Sequence, residues 1–498
     1  MNVPALSLDA FERQAEAFVQ ARAWREWQFQ AGLRPGRGLR SLYTEDFPDF
    51  TSRDLYFDLQ DATDTDPRRK QGLVGLLAAA HLEGTTVEQA ARLGGLQART
   101  TLEFEDRELA WREASARWPL LGEVPRRHEL AEAWRAVLRR EFNPSLERWH
   151  EALRGALAAL GAPDWLAFWS EQSGLDAEQS SRLATSLLDL SGDVYGHALS
   201  VYFGQLELPI DDAWTADAAW AFRAPRFDAV FSELGRMPVL VRSLRDLGIE
   251  LEAQTNLRLE PAAAPGVRCI AVQVPDEVHV LSRLIGGYQD YLRSLDGLGQ
   301  GEHPALTDRS LPFWQRQLGD PTPSLAYGAL LAGLVRDRAW LTARLEYTAS
   351  DDFRVIAHIA WLYRLRRLAA LVLYEQRLWQ AEPGTALAAD FEESLSSALR
   401  VRHFGDEYLL GLLDAPWSML DAARQLRAEL FAAHLRLYLQ REFDEEWWRS
   451  GRAARFLRDE LWRVGRRHSA DELLGFLGYE GFDPGILWRE CADVLAPL

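Results

Sequence analysis

Cysteine is nearly absent from the chain, since its 498 residues include only Cys269 and Cys491. Two cysteines this far apart provide neither a disulfide framework nor a cysteine-based zinc site. Long apolar runs are also missing, because residues 72–80 are the nearest approach to the roughly 18 residues of a membrane span. The first residues lack the basic and apolar segments of a secretory signal. We therefore expect a soluble, cytoplasmic protein.

Positive charge is scarce relative to negative charge. The chain has 56 Lys and Arg against 74 Asp and Glu, which gives a formal net charge of −18. Such a surface repels phosphate groups, so nucleic acid and anionic membranes are disfavoured as partners. The 47% of apolar residues is enough to bury a substantial core, which excludes a disordered chain.

Most of the chain follows the helical period. Leu130, Trp134, Val137 and Leu138 share one face at positions i, i+4, i+7 and i+8. We find no fixed-period repeat, which argues against a solenoid, so the predicted fold class is mainly α. Similar patterns predict helices over residues 8–30, 72–93, 104–118, 177–203, 225–247, 325–345, 352–382, 386–400 and 421–443.

One region departs from the helical pattern. Residues 268–274 alternate in polarity and are β-branched, and residues 278–281 follow a Pro-Asp turn signal. This pattern predicts a small hairpin or two short strands. The pair immediately precedes the glycine-rich residues 286–303, so a sheet edge that accepts an extended peptide is expected beside them.

Six short sequence strings occur in an order and at spacings that are typical of one protein family. Together they resemble the thimet oligopeptidase/oligoendopeptidase F family of zinc metallopeptidases. They are Phe-Arg-Ala-Pro-Arg-Phe-Asp (222–228), Val-Pro-Asp-Glu-Val-His-Val (274–280), Gly-Gly-Tyr-Gln-Asp-Tyr (286–291), Leu-Gly-Asp-Pro (318–321), Arg-Glu-Phe-Asp-Glu-Glu-Trp-Trp-Arg (441–449) and Ser-Ala-Asp-Glu-Leu-Leu-Gly-Phe-Leu-Gly-Tyr-Glu (469–480).

The resemblance implies a large bilobed helical ellipsoid with a central channel for short peptides. It also implies a small β-sheet beside the zinc-site helix, which would span about residues 288–303. We expect an N-terminal helical region over residues 1–125 and a peptidase-like body over residues 126–498. The two regions are expected to form one continuous unit.

The metal-binding residues of this family are replaced in the chain. Such enzymes need two His at i and i+4 of one helix, a Glu after the first His as general base, and a carboxylate from a second helix. Alignment on Tyr291 and Leu295 places Asp296 and Gln300 at the two His positions and Gly297 at the Glu position. The resemblance places Leu325 at the third ligand position.

These replacements predict the loss of the catalytic zinc site, and no cofactor is expected. Asp296 and Gln300 offer oxygen atoms where zinc prefers nitrogen, and Gly297 cannot accept a proton. The tyrosines that the family uses to stabilise an oxyanion are absent from residues 421–427. Gly297, Gly299 and Gly301 each cost a helix about 1 kcal/mol relative to Ala, so the helix is expected to fray, kink or end there.

Other residues are candidates for a displaced metal site or for peptide contacts. His303 with Glu302 forms a possible ligand pair just past the helix, or His303 is a loop residue. His279 is expected at a surface or edge-strand position, and His434 in the core or the channel wall. The candidate peptide-binding residues are Val278, His279, Val280, Tyr291, Tyr327 and His434.

Three hypotheses follow for the function. The first is a catalytically inactive homologue of a zinc oligopeptidase that binds peptides or a protein partner, or that regulates an active relative. The second is an active metallopeptidase that holds a harder metal with Asp296, Gln300 and His303. The third is a purely structural helical protein whose channel is closed. Replacement of the third ligand by Leu325 favours the first and third hypotheses.

Overall fold

The computed structural model describes residues 7–64, 66–162, 164–263, 266–381 and 385–497. Helix accounts for 71% of the residues, which confirms the mainly α fold class. Short 3₁₀ and π turns connect or extend the α-helices. The first ten helices are α1 Leu8–Gln30, α2 Leu39–Ser41, α3 Arg53–Asp61, α4 Pro67–Thr85, α5 Val87–Arg99, α6 Trp111–Ala114, α7 Val124–Val137, α8 Asn143–Ala159, α9 Trp165–Ser173 and α10 Ala177–Gln205.

The remaining helices build the body that surrounds the glycine-rich segment. They are α11 Thr215–Ala221, α12 Glu233–Asp246, α13 Tyr288–Leu306, α14 Thr322–Ala332, α15 Arg338–Leu345, α16 Asp351–Gln380, α17 Leu387–Leu399, α18 Asp421–Glu442, α19 Gly451–Phe456, α20 Ala470–Phe476 and α21 Pro484–Leu495.

Two small sheets interrupt the helices. β1 Thr101–Phe104 and β2 Arg107–Ala110 form an antiparallel hairpin. The prediction of a helix over residues 104–118 is therefore wrong. Glu105 and Asp106 take positive φ values of 52° and 59°, so the chain reverses there rather than continuing as a helix.

The second sheet has three strands in the order β3-β5-β4. β4 Val267–Gln273 and β5 Glu277–Ser282 pair antiparallel, which confirms the predicted hairpin. β3 Leu257–Pro261 pairs parallel with β5 and was not predicted. β5 is therefore the central strand, and β4 is an edge strand.

A layered core lies beside this sheet. α13 packs against β4 and β5 on one side and against α14 on the other, and α14 packs in turn against α18. α16 packs against α10 and α18. α13 and α14 are thereby held between the sheet and the long C-terminal helices. Within the described ranges, no helix is long and apolar enough to cross a membrane.

Candidate active-site region

α13 is one continuous helix, including the turns that contain Gly297, Gly299 and Gly301. It runs from Tyr288 to Leu306, so the prediction that it frays or ends near Gly297 is wrong. The chain turns into it at Gly286 and Gly287, which have φ values of 87° and 71°. The Asp290 carboxylate accepts hydrogen bonds from the N–H groups of Ile285 and Gly286, at 2.8 and 2.9 Å, and fixes this turn.

Tertiary packing explains why the glycines do not break the helix. A Cβ at Gly297 would lie 2.5 Å from Val280 Cγ1, and a Cβ at Gly301 would lie 2.7 Å from Val280 Cγ2. A Cβ at Gly299 would lie 2.3 Å from the Tyr327 carbonyl oxygen. The glycines thus allow β5 and α14 to approach α13 closely, and the buried contacts offset their low helix propensity.

Asp296 and Gln300, which are predicted to stand at histidine positions, have the i, i+4 geometry of one helical turn. The Gln300 side-chain amide donates a hydrogen bond of 3.1 Å to Asp296 Oδ1. Burial raises the pKa of Asp296 above its ordinary value, while the nearby Arg364 guanidinium opposes that rise. The two side chains therefore satisfy each other across one helical turn.

The second helix brings no metal ligand to this pair. Leu325 lines the cavity next to Asp296 and Gln300. The α14 residue packed against them is Gly328, where a Cβ would lie 2.4 Å from Asp296 Oδ1. Among the described residues, no three His, Cys, Asp or Glu side chains are grouped so that they could hold a metal ion. The donors at the predicted positions do not fit zinc.

A cavity of about 630 Å³ opens at this point between the edge strand and the helices. Its walls come from the start of β4, from α13 and α14, and from α16 and α18. Asp296, Gln300 and Leu325 therefore face a common space with the edge of the sheet. The lining includes Gly266, Val267, Arg268, Cys269, Tyr288, Arg293, Asp296, Gln300, Leu325, Ala329, Arg336, Ala360, Trp361, Tyr363, Arg364, Asp421, Gln425 and Glu429.

An ion pair between a half-exposed arginine and a buried glutamate crosses the cavity wall next to Asp296. Arg364 of α16 donates a hydrogen bond to Glu429 of α18, and the Trp361 indole N–H donates to the other Glu429 oxygen at 3.0 Å. Burial is the largest influence and acts to raise the pKa of Glu429, but Arg364, the Trp361 indole and Arg336 together hold that pKa below its ordinary value. The cation beside Asp296 in this structure is therefore a guanidinium.

His303 and Glu302 lie inside α13, so their predicted position beyond the helix is wrong. Burial lowers the pKa of His303 to about 3, which makes its ring neutral. The carbonyl oxygen of Gly465 lies 2.9 Å from Nε2, which must therefore donate, and Nδ1 accepts from Ser324 Oγ at 2.6 Å. Both nitrogens are occupied, so His303 is not available to join Asp296 and Gln300 around a metal.

His279 is on the central strand and fully buried, so the predicted surface or edge-strand position is wrong. Its two ring nitrogens lie 3.0 and 3.1 Å from carboxylate oxygens of Glu260 and Glu277, and its ring packs on Trp27. Val278 and Val280 are also buried on this strand, which is paired on both sides. The strand that borders the cavity is β4 and not β5.

The other three predicted peptide-binding residues are buried in the core. Tyr291 donates to the Ser232 carbonyl at 2.7 Å, and Tyr327 packs edge-on against His303. His434 Nδ1 lies 2.8 Å from the Leu430 carbonyl oxygen, and Nε2 accepts from the Asp483 N–H at 3.2 Å. His434 is thus a satisfied core histidine, which was one of its two predicted settings.

Several polar residues of the cavity were not found by sequence reasoning. Arg364 and Glu429 lie on the long helices α16 and α18, where charged residues are typical of a solvent-exposed face. Arg336, in the turn after α14, and the uncharged Tyr363 of α16 also line the cavity. The Tyr363 hydroxyl is buried without a hydrogen-bond partner in the described residues. An arginine or glutamate embedded in an otherwise apolar helical stripe was the available signal.

Comparison with known proteins gives matches only at the level of structure. No family model and no curated protein sequence matches the chain. The M32 carboxypeptidase from Deinococcus radiodurans R1 matches with a TM-score of 0.63 and 13% identity, over 98% of this chain and 99% of that one. The apo-Mg structure of Pyrococcus furiosus carboxypeptidase matches with a TM-score of 0.55 and 13% identity, over 99% of both chains.

These similarities extend over nearly the whole chain, but at this identity they concern the fold alone. They support the fold that the resemblance implies, a mainly helical scaffold. The chain has the helical fold seen in M32 carboxypeptidases.

Proposed function

We propose that the protein is a catalytically inactive peptidase-like protein that binds an extended polypeptide segment in the cavity beside α13. The observation that carries the proposal is the joint lining of this cavity by an edge strand and by the replaced zinc-site positions Asp296, Gln300 and Leu325. The scaffold would thus keep the place where a peptide docks and lack the groups that cleave it.

The edge strand supports the peptide-binding part of the proposal. β4 pairs only with β5 in the three-stranded sheet, and its residues 266–269 line the cavity. An extended peptide can add to such an edge through main-chain hydrogen bonds. The cavity volume of about 630 Å³ is within the range that accommodates a few side chains of a ligand.

The position of the general base supports the absence of hydrolysis. Gly297 has no side chain to take a proton from water, and Val280 fills the space where a side chain would begin. Asp296, the residue before it, is half-buried and accepts a hydrogen bond from Gln300. Hydrolysis of a peptide bond needs a proton acceptor held next to the attacking water, and the Gly297 position has no side chain to provide one.

We keep the relationship to the thimet oligopeptidase/oligoendopeptidase F family as part of the proposal, on the ordered strings around residues 274–291. The proposed partners are short or unfolded peptides or a protein segment, and not nucleic acid, given the net charge of −18. The proposed location is the cytoplasm.

Binding and catalysis are tested separately. Fluorescence anisotropy with a labelled mixture of random heptapeptides measures binding, and a quenched fluorescent peptide mixture together with elemental analysis measures cleavage and metal content. We expect binding without cleavage and without stoichiometric zinc. Cleavage that a chelator abolishes would contradict the inactive assignment and favour the unorthodox metal site.

A filled cavity provides the matched test of the binding site. Ala360 lines the cavity on α16, so Ala360→Trp should weaken peptide binding strongly. Ala158 is exposed on α8, and Ala158→Trp adds the same ring without touching the cavity. Equal binding by both variants would place the peptide elsewhere, and no binding by the wild-type protein would favour a purely structural role.

A further inference from the structure

Arg336 is a buried arginine that forms no ion pair with a carboxylate among the described residues. Its side chain is 5% exposed, and it lies in the 3₁₀ turn that follows α14. Within the described ranges, its guanidinium makes no ion pair or hydrogen bond, and Nε is fully buried. Its contact is the face of Trp361, whose ring centroid lies 3.8 Å from Cζ.

The acids near Arg336 are paired with other arginines. Glu429 accepts hydrogen bonds from Arg364 and from Trp361, and Glu490 accepts from Arg436. Of these three arginines, Arg336 is therefore the one with no carboxylate bonded to it in the described residues. A buried charge without a partner costs several kcal/mol, and a bound anion would offset that cost.

Arg336 also lies where two cavities meet. It lines the 630 Å³ cavity beside Asp296 and a second cavity of about 880 Å³ between α15, α16, α18 and α21. Burial lowers the pKa of Arg336 to about 10, which leaves it charged at neutral pH. Arg336 thus borders both cavities, and a guanidinium is a fork of N–H donors that binds carboxylates.

We infer that Arg336 binds a carboxylate of the polypeptide that occupies the cavity, so that the protein selects acidic peptides; this rests on the proposed function. The carboxylate can come from an Asp or Glu side chain or from a chain terminus. A monoanion fits better than a phosphate dianion, because a single guanidinium lacks a bonded carboxylate and Glu429 and Asp296 lie close by. The flat face on Trp361 leaves the N–H edge free for bidentate contact.

Three labelled heptapeptides test the inference by fluorescence anisotropy. Each is acetylated and otherwise identical: one has a central Glu and an amidated terminus, one a central Gln and an amidated terminus, and one a central Gln and a free terminus. We expect one of the two acidic peptides to bind about tenfold or more tightly than the neutral one, and its identity gives the source of the carboxylate.

The preference should depend on Arg336 alone. Arg336→Met should remove the difference between the peptides, whereas Arg338→Met should keep it. Arg338 lines the same second cavity but is exposed and paired with Asp351. Arg336→Met should fold at least as stably as the wild type because it removes an unpaired buried charge. If it fails to fold, Arg336→Lys, which lacks the planar fork, should reduce the difference.

The outcomes separate this inference from the proposed function. Equal binding of all three peptides by the wild-type protein would overturn the inference and leave peptide binding intact. If the wild type binds none of them, the proposed function fails, and acetate becomes the probe. Acetate that raises the wild-type unfolding temperature relative to chloride, but not that of Arg336→Met, would support the anion site, and no effect would overturn it.

Discussion

The close approach of Val280 to Gly297 predicts how one added methyl group at residue 297 changes the stability of the protein. In Gly297→Ala, the new Cβ would begin 2.5 Å from Val280 Cγ1. Overpacking of this kind costs about 1–3 kcal/mol, so we expect the free energy of unfolding to fall despite alanine's better helix propensity. Chemical denaturation measures the change.

A matched glycine on another helix provides the control. Gly192 lies in α10, and a Cβ there would have no neighbour within 4 Å. Gly192→Ala should therefore stabilise the protein by about 0.5–1 kcal/mol. Stabilisation of equal size at Gly297 would show that Val280 of β5 does not fill the space beside Gly297.

Glu302 should make stability depend on pH. Burial raises its pKa from 4.5 to about 7, and its one hydrogen bond comes from Gln254. Since the folded pKa lies above the unfolded one, the unfolded chain releases its proton first as pH rises. The contribution to stability is therefore full below about pH 4.5 and is lost through about pH 7.

The size of this effect is roughly 3 kcal/mol. Glu302→Gln should flatten the corresponding part of the curve of unfolding free energy against pH. Glu129→Gln, at an exposed position on α7, should leave the wild-type slope unchanged. A Glu302→Gln curve parallel to the wild type between pH 4.5 and 7 would contradict the burial of the carboxyl.

At the scale of elements, His303 joins α13 to α14 and to the segment before α20. Its ring accepts from Ser324 and donates to the Gly465 carbonyl. His303→Ala should lower the free energy of unfolding by about 2–4 kcal/mol, because it leaves a cavity and an unsatisfied carbonyl. The metal content should not change.

An exposed histidine serves for comparison. His468 is 39% exposed and lies 3.7 Å from Glu472, so His468→Ala should cost less than about 0.5 kcal/mol. Loss of bound metal from His303→Ala without loss of stability would revive the ligand set of Asp296, Gln300 and His303.

The sequence predicted those elements whose signals are local. The β4–β5 hairpin has alternating residues around a Pro-Asp turn, and it was found with nearly correct bounds. β3 was missed because it joins β5 in parallel across an intervening strand, and nothing local marks that pairing. His279 was therefore assigned to an edge strand instead of the central one.

The glycines of α13 also show that local signals are not sufficient, because here they predict a break that the structure does not have. Intrinsic propensity predicts a broken helix at Gly297, Gly299 and Gly301, but contacts with Val280 and Tyr327 outweigh it. The lack of an ion pair at Arg336 could not be predicted from the sequence either. It depends on which arginines form ion pairs with Glu429 and Glu490, and only the folded structure determines those pairs.

At the scale of the whole molecule, the Arg364–Glu429 pair links α16 to α18 next to α13. Arg364→Met should destabilise the protein by about 1–3 kcal/mol, because the buried Glu429 loses its ion pair and keeps its hydrogen bond from the Trp361 indole. The double variant Arg364→Met with Glu429→Met should recover much of this loss. A double-mutant cycle from chemical denaturation measures the coupling.

Two results would contradict this view of the pair. Additive losses would mean that Arg364 and Glu429 do not interact in solution. A wild-type stability that falls when the protein is dialysed against a chelator would mean that a metal, and not Arg364, balances the carboxylates.

The guanidinium beside Asp296 differs from a metal ion in one respect that matters to a cell. It is part of the chain and cannot dissociate, so the pair with Glu429 forms whenever the protein folds. The concentration of free metal, which sets the occupancy of any dissociable site, has no influence on it. The arrangement of this cavity wall is therefore set when the chain folds, and it is the same whether metal ions are scarce or abundant.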